Sequence, residues 1–156
     1  MSITARELMT SPVITTDPTA SLYQVAELLV HKNISAIPVC EPDGSLAGII
    51  SEADVMRPFR ETAHRKRKRW LDLLAEGEDL SQEFLDYLRQ DTKPAVDLMA
   101  RHVVTAGPDA SLEELAEMMT AHGVKRIPIV ENGKLTGIVS RSDLLRGITQ
   151  MHAIPE

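Results

Sequence analysis

The chain writes most of itself twice, and that duplication restricts its fold more than any other feature. Shifted by 90 residues, Leu8–Val39 aligns with Leu98–Ile129; after a one-residue deletion in the second copy, Gly44–Arg57 aligns with Gly133–Arg146. These windows hold 19 identities in 46 positions, too many for chance with a single gap. Two copies are too few for a solenoid, so a pseudo-symmetric pair is expected. The first repeat occupies residues 1–58 and the second 95–156, with an insertion at 59–94.

Each copy reads alike. Short β-branched runs, Val13–Thr15 and Val103–Thr105, suggest a first strand, and each is followed by a proline, Pro18 or Pro108. Ser21 and Gln24, like Ser111 and Glu114, have the spacing of a capping box. Behind them Leu22, Val25, Ala26 and Leu29, and again Leu112, Leu115, Ala116 and Met119, form one apolar stripe at helical spacing. Asn33 and Gly123, which tolerate a left-handed cap, should end these helices. Two strands follow in each copy, "SAIPVCE" then "LAGIIS", and "KRIPIVE" then "LTGIVS", joined by Asp-Gly and Asn-Gly hairpin turns. A short helix closes each copy, at "EADVMR" and at "RSDLLR". The expected fold is therefore α/β (α+β), two β-α-β-β-α repeats packed sheet to sheet with helices outside.

Ser140 stands where a strand runs into a helix, and Asp143 lies in that helix's first turn; Ser51 and Asp54 repeat the arrangement. Amides at a helix start are unpaired and its dipole end is positive, so a phosphate is well placed there. The serine adds a hydroxyl donor, and the carboxylate suits two vicinal hydroxyls of a ribose. The same residues are also good helix caps.

The pairing of "AIPV" and "RIPI" with "GIISEAD" and "GIVSRSD", duplicated in register, resembles the CBS domain, named for cystathionine β-synthase. The resemblance covers roughly residues 5–58 and 95–150. It implies a Bateman module, here standing alone, that senses an adenosine-containing ligand: AMP, ADP, ATP, S-adenosylmethionine or NAD. It implies two clefts between the repeats. Ser140, Arg141 and Asp143 would share one with Val13, Ile14, Ser35, Ala36, Ile37 and Arg126. Ser51 and Asp54 would share the other with Val103, Val104, Thr105, Lys125 and Ile127. It also implies a homodimer and signalling to a separate effector protein. Because Arg141 stands where the first copy has Glu52, and Arg126 where it has Ala36, the Ser140 cleft should prefer phosphorylated ligands. A non-liganded dimerisation scaffold is the alternative.

Composition narrows the remainder. The net charge of −6 disfavours nucleic acid as a partner. The basic run Arg65–Arg69 does not reverse this, because Arg57–Lys93 carries nine bases and eight acids and reads as a self-neutralising helical hairpin. No catalytic or metal motif emerges from the five histidines and Cys40, so no enzyme is expected. One cysteine, no leader-like N-terminus and no long apolar run indicate a cytoplasmic protein without a membrane partner.

Overall fold

A computed structural model of the chain describes residues 3–57 and 93–151. The helices expected in the insertion fall outside the described residues. In chain order the elements are α1 (Ala5–Leu8), α2 (Leu22–His31), β1 (Ala36–Cys40), β2 (Leu46–Ser51), α3 (Ala95–Leu98), α4 (Leu112–His122), β3 (Arg126–Glu131), β4 (Lys134–Ser140) and α5 (Arg141–Met151). A further helical segment occupies 52–57. Each repeat thus holds a helix, an antiparallel strand pair and a closing helix, with β1 beside β2 and β3 beside β4.

The described residues divide into two compact units. Unit 1 gathers 3–15, 40–47 and 101–151; unit 2 gathers 16–39, 48–57 and 93–100. Each unit is built mainly on one repeat and takes its leading short helix from the other. In unit 1 the amides of Ala5 and Arg6 donate to Ala110 O (2.8 Å) and Pro108 O (2.9 Å), and Leu112 N–H donates to Ile3 O (2.8 Å). Unit 2 repeats this with Ala95 N–H to Ala20 O (2.8 Å) and Val96 N–H to Pro18 O (3.0 Å). Neither α1 nor α3 is anticipated in the sequence reading above. The clue for α1 is Thr4 and Glu7 at capping-box spacing, where Glu7 Oε1 accepts the Thr4 amide (3.4 Å).

The cores are position-for-position copies. Unit 1 buries Ala5, Leu8, Leu112, Leu115, Met119, Ile127, Ile129, Val139 and Leu144 in one cluster. At the equivalent places unit 2 buries Ala95, Leu98, Leu22, Val25, Leu29, Ile37, Val39, Ile50 and Val55. Every helical stripe residue expected to lead the core does so, except Ala26 and Ala116, which are half-buried. The helix starts are capped as their spacing requires. Ser21 Oγ accepts Gln24 N–H (3.1 Å) while Gln24 Oε1 accepts Ser21 N–H (2.9 Å), and Ser111 Oγ accepts Glu114 N–H (3.1 Å). Both ends follow too: Gly123 is left-handed at φ 63°, and Asn33 at φ 52°.

Two details differ from the sequence reading. The runs 13–15 and 103–105 form no strand. Parallel pairing is reduced to single bridges one residue on, Thr16 with Val39 and Ala106 with Ile129. Pro18 and Pro108, two residues further, have no N–H with which to lengthen the ladder. The two hairpins also turn differently. Asn132 and Gly133 both take positive φ, 52° and 77°, as a tight Asn-Gly turn needs. In the first hairpin only Gly44 does (φ 90°), because Pro42 is locked at negative φ, and Asp43 Oδ1 closes the turn by accepting Ser45 N–H (2.9 Å).

One glycine in each sheet lies under a methionine. A Cβ on Gly137 would stand 2.2 Å from Met9 Sδ, and one on Gly48 would stand 2.6 Å from Met99 Sδ and 2.7 Å from Ala100 O. The leading segments are held there by ladder bonds. Thr10 and Ile138 exchange bonds of 2.9 and 3.2 Å in unit 1, and Ile49 and Ala100 exchange bonds of 3.1 and 2.9 Å in unit 2.

Candidate functional site

The end of β4 and the start of α5 meet at Ser140. Its hydroxyl accepts the Asp143 amide (3.2 Å), while Asp143 Oδ2 accepts both the Ser140 amide (2.8 Å) and the Ser140 hydroxyl (3.0 Å). Asp143 is 4% exposed, and Arg146, one turn on, holds its other oxygen, Oδ1, through Nη2. Unit 2 repeats the set. Ser51 N–H and Oγ donate to Asp54 Oδ2 (2.9 and 3.1 Å), Ser51 Oγ accepts Asp54 N–H (3.3 Å), and Arg57 Nη2 meets Oδ1. A carboxylate buried this far needs such partners, since isolated burial of its charge is costly. Arg57 and Arg146 escape the sequence reading above, although both copies spell Ser-x-x-Asp-x-x-Arg.

The expectation of unpaired amides at the start of α5 needs correcting. Arg141 N–H donates to Lys125 O (3.1 Å) and Asp143 N–H to Ser140 Oγ, because the strand-to-helix corner closes back on β3 and caps itself. An anion at this end therefore depends more on side-chain bases than on backbone donors.

Those bases are gathered by the register. Arg126 pairs with Ser140 across the β3–β4 ladder, and the Arg141–Lys125 bond ties the neighbouring residues. Lys125, Arg126, Ile127, Ser140, Arg141 and Asp143 thus occupy one end of unit 1. Lys125 and Arg141 are exposed, Arg126 is half-buried and Ile127 is buried. Val103, Val104 and Thr105 precede the parallel Ala106–Ile129 bridge. Val103 and Thr105 line a pocket of ≈ 250 Å³ with Ser45, Leu46, Ala47, Arg101, Val130 and Gly133, toward the turn end of β3 rather than the Ser140 end. In unit 2, Glu52 N–H donates to Ser35 O (2.9 Å), which joins Ser35, Ala36 and Ile37 to Ser51 and Asp54. Like is joined to like within a unit: Ser140 and Asp143 with Lys125–Ile127, Ser51 and Asp54 with Ser35–Ile37. Val13 and Ile14 belong to unit 1. There the segment before them runs along β4 from Thr10, opposite Ile138, to Ser11, whose Oγ donates to Thr136 O (2.8 Å), and so leads away from Ser140.

The two ends differ in charge. The unit 1 end carries Lys125, Arg126, Arg141 and Arg146 against Asp143; the matching residues of unit 2 are Ser35, Ala36, Glu52 and Arg57 against Asp54. Other titratable groups lie apart from both ends. Burial pushes the half-buried Cys40 thiol above its ordinary value. Asp17 is held below the usual carboxylate range by the Thr19 hydroxyl and amide, and Asp43 by those of Ser45 and by the nearby Lys134. Among the described residues, no three His, Cys, Asp or Glu side chains are grouped to hold a metal, and no helix is long and apolar enough to cross a membrane.

Known proteins share this fold. The family model for the CBS domain matches residues 5–61 and 95–150. The protein MJ1426 of Methanocaldococcus jannaschii is 32% identical over 151 residues, covering 92% of this chain and 89% of its own length. The CBS domain of a CBS-domain-containing membrane protein from Sphaerobacter thermophilus superposes with a TM-score of 0.70 at 31% identity, over 93% of this chain and 87% of that one. CBSX2 of Arabidopsis thaliana, solved in complex with AMP, superposes with a TM-score of 0.70 at 23% identity, over 96% and 98% of the two chains.

Proposed function

The chain belongs to the CBS domain family, and from that premise we propose that it is a regulatory, non-catalytic module that binds an adenosine-containing ligand through the Ser140–Asp143 end of unit 1. Asp143 accepts from ribose hydroxyls. Lys125, Arg126 and Arg141 face the phosphate, assisted by the positive end of α5. Ile127 supplies an apolar side chain and the neighbouring strand backbone its polar groups for the base. One observation carries this reading. Arg146 pairs with the buried Asp143, and Lys125, Arg126 and Arg141 fall at the same end of the β3–β4 ladder, whereas the other copy keeps the serine, aspartate and first arginine but has Ser35, Ala36 and Glu52 in place of the other three bases. Packing alone explains the serine and aspartate in both copies; it does not explain bases in one copy only. The AMP held by CBSX2 agrees with this ligand class.

Ligand acts by population shift, favouring whichever arrangement of the module it binds better, and a separate effector protein reads the change. AMP, ADP, ATP, S-adenosylmethionine and NAD are the ligands to titrate calorimetrically, against wild type and Asp143→Ala. Saturable binding of a phosphorylated member, lost in the variant, is expected. Exchanging Glu52 and Arg141 should move the phosphorylated ligand toward the Ser51–Asp54 end. No binding by any of the five, in protein free of copurified nucleotide, would leave a dimerisation scaffold as the function.

A further inference from the structure

We propose that Arg146 is an exchangeable partner of Asp143, a guanidinium that a ribose diol displaces in order to bind through both hydroxyls. The proposal rests on the reading of Ser140–Asp143 as a ribose-binding end and adds the residue that sets its selectivity for a diol.

The argument is a count of acceptor directions. A carboxylate offers about four, two on each oxygen. At Asp143, Oδ2 takes the Ser140 amide and hydroxyl at 2.8 and 3.0 Å, so both of its directions are occupied. Oδ1 takes Arg146 Nη2. One direction remains. A single hydroxyl fits it; a vicinal diol needs two side by side. One of the three existing donors must therefore leave before the diol is fully bound.

The three donors are not equally easy to remove. The Ser140 bonds form the cap of α5, and releasing them costs the helix its start. The Asp143 side chain is 6% exposed and fixed by that cap, whereas the Arg146 side chain is 69% exposed. An exposed guanidinium gains little from such a pair, because water competes for both charges and the long side chain loses freedom. Arg146 is the donor that yields. When ligand is absent it keeps a buried carboxylate paired; when ligand arrives it gives up its place. Arg57 stands on Asp54 in the same way, with side-chain exposures of 57% and 11%, so the device is present in both copies.

The test compares AMP with 2′-deoxy-AMP, calorimetrically, in an Asp54→Asn background that leaves one carboxylate of the pair intact. Deoxy-AMP presents one sugar hydroxyl and leaves Arg146 in place. Arg146→Gln should therefore raise the preference for AMP over deoxy-AMP by roughly two- to fivefold, the span of an exposed ion pair. Arg146→Lys should keep the unsubstituted preference. A general loss of phosphate attraction would weaken both ligands alike and cancel in the ratio. Should Arg146→Gln melt early, Arg146→Met supplies the same measurement. A ratio that is unchanged, or that falls, overturns the exchange while leaving the ribose reading intact. Failure of AMP to bind before Arg146 is altered, or AMP binding that survives Asp143→Asn, overturns the ribose reading and this proposal with it.

Discussion

Replacing Gly48 by alanine should be among the most damaging single-methyl additions in the molecule. The new Cβ would lie 2.6 Å from Met99 Sδ, 2.8 Å from Met99 Cγ and 2.7 Å from Ala100 O. The methionine can rotate away, since thioether side chains adapt. The carbonyl cannot, because Ala100 and Ile49 are bonded in both directions at 2.9 and 3.1 Å. Relief needs a shift of the α3 segment or loss of that ladder, and overpacking of this kind costs about 2–3 kcal/mol. Gly137 is the internal control. Its three close neighbours, at 2.2, 2.7 and 2.9 Å, are all side-chain atoms of Met9. Gly137→Ala should therefore cost less, about 1–2 kcal/mol. At about 2–4 °C per kcal/mol for a chain of this size, the two variants should melt roughly 4–12 and 2–8 °C below wild type. The double variants separate the causes. In a Met9→Ala background, Gly137→Ala should lose most but not all of its cost, because the Cβ of residue 9 stays 2.9 Å away; in a Met99→Ala background, Gly48→Ala should stay costly because the carbonyl remains. A Gly48→Ala protein that melts with wild type, or one rescued fully by Met99→Ala, would refute the argument.

Four further outcomes are expected. Cys40 should react with iodoacetamide more slowly than a small thiol at the same pH, with its rate profile displaced to higher pH, since burial disfavours the thiolate. The unfolded chain ionises this thiol first, so the protein should lose stability as pH rises past the ordinary cysteine value; Cys40→Ser should flatten that alkaline limb in a pH series of melts. Thr19→Ala should bring the Asp17 carboxyl back up toward its ordinary value, as read by NMR titration, because the hydroxyl and one aligned amide hold it down. The depressed value makes Asp17 stabilising above the ordinary carboxylate range and less so as pH falls through the folded value, so Thr19→Ala should remove part of the acid-side loss.

Much of the fold is legible because local chemistry agrees with the global arrangement. Ser21 with Gln24, Ser111 with Glu114, the 3.6-residue stripes, Asn33, Gly123 and the Asn132–Gly133 turn each specify one conformation, and each adopts it. What is not legible is non-local. Nothing in "ARELM" or "AVDLM" states that the segment caps the sheet of the other repeat's body; that follows from Met9 and Met99 filling the space above Gly137 and Gly48. The short first strands fail for a related reason. The β-branched runs read as strand, but ladder pairing is decided by the chain beside them, and prolines at 18 and 108 stop it at one bridge. At the candidate site the serines and aspartates are visible in the sequence. The arginines that hold them are visible only as a third identity in each copy, whose meaning depends on a carboxylate being buried.

The repeat also separates what the fold needs from what a ligand needs. Capping serines, the paired aspartates, the arginines beside them, the covered glycines and the core positions are kept in both copies or exchanged for residues of similar shape. Each has a packing or capping role that both units share. Lys125, Arg126 and Arg141 stand apart, because Ser35, Ala36 and Glu52 serve the equivalent strand and helix positions in unit 2 without them. Lys125 and Arg141 are exposed like charges on residues joined by the Arg141 N–H to Lys125 O bond, and that backbone bond does not require their charge. A cost of that sign, placed at the Ser140 end of one copy and absent from the other, is what an anionic ligand at that end would offset. The scaffold alternative predicts no such cost, so neutralising Lys125 and Arg141 tests the two directly. A ligand site loses phosphate affinity while the apoprotein melts higher; a scaffold shows neither a bound phosphate to lose nor any change in ligand binding.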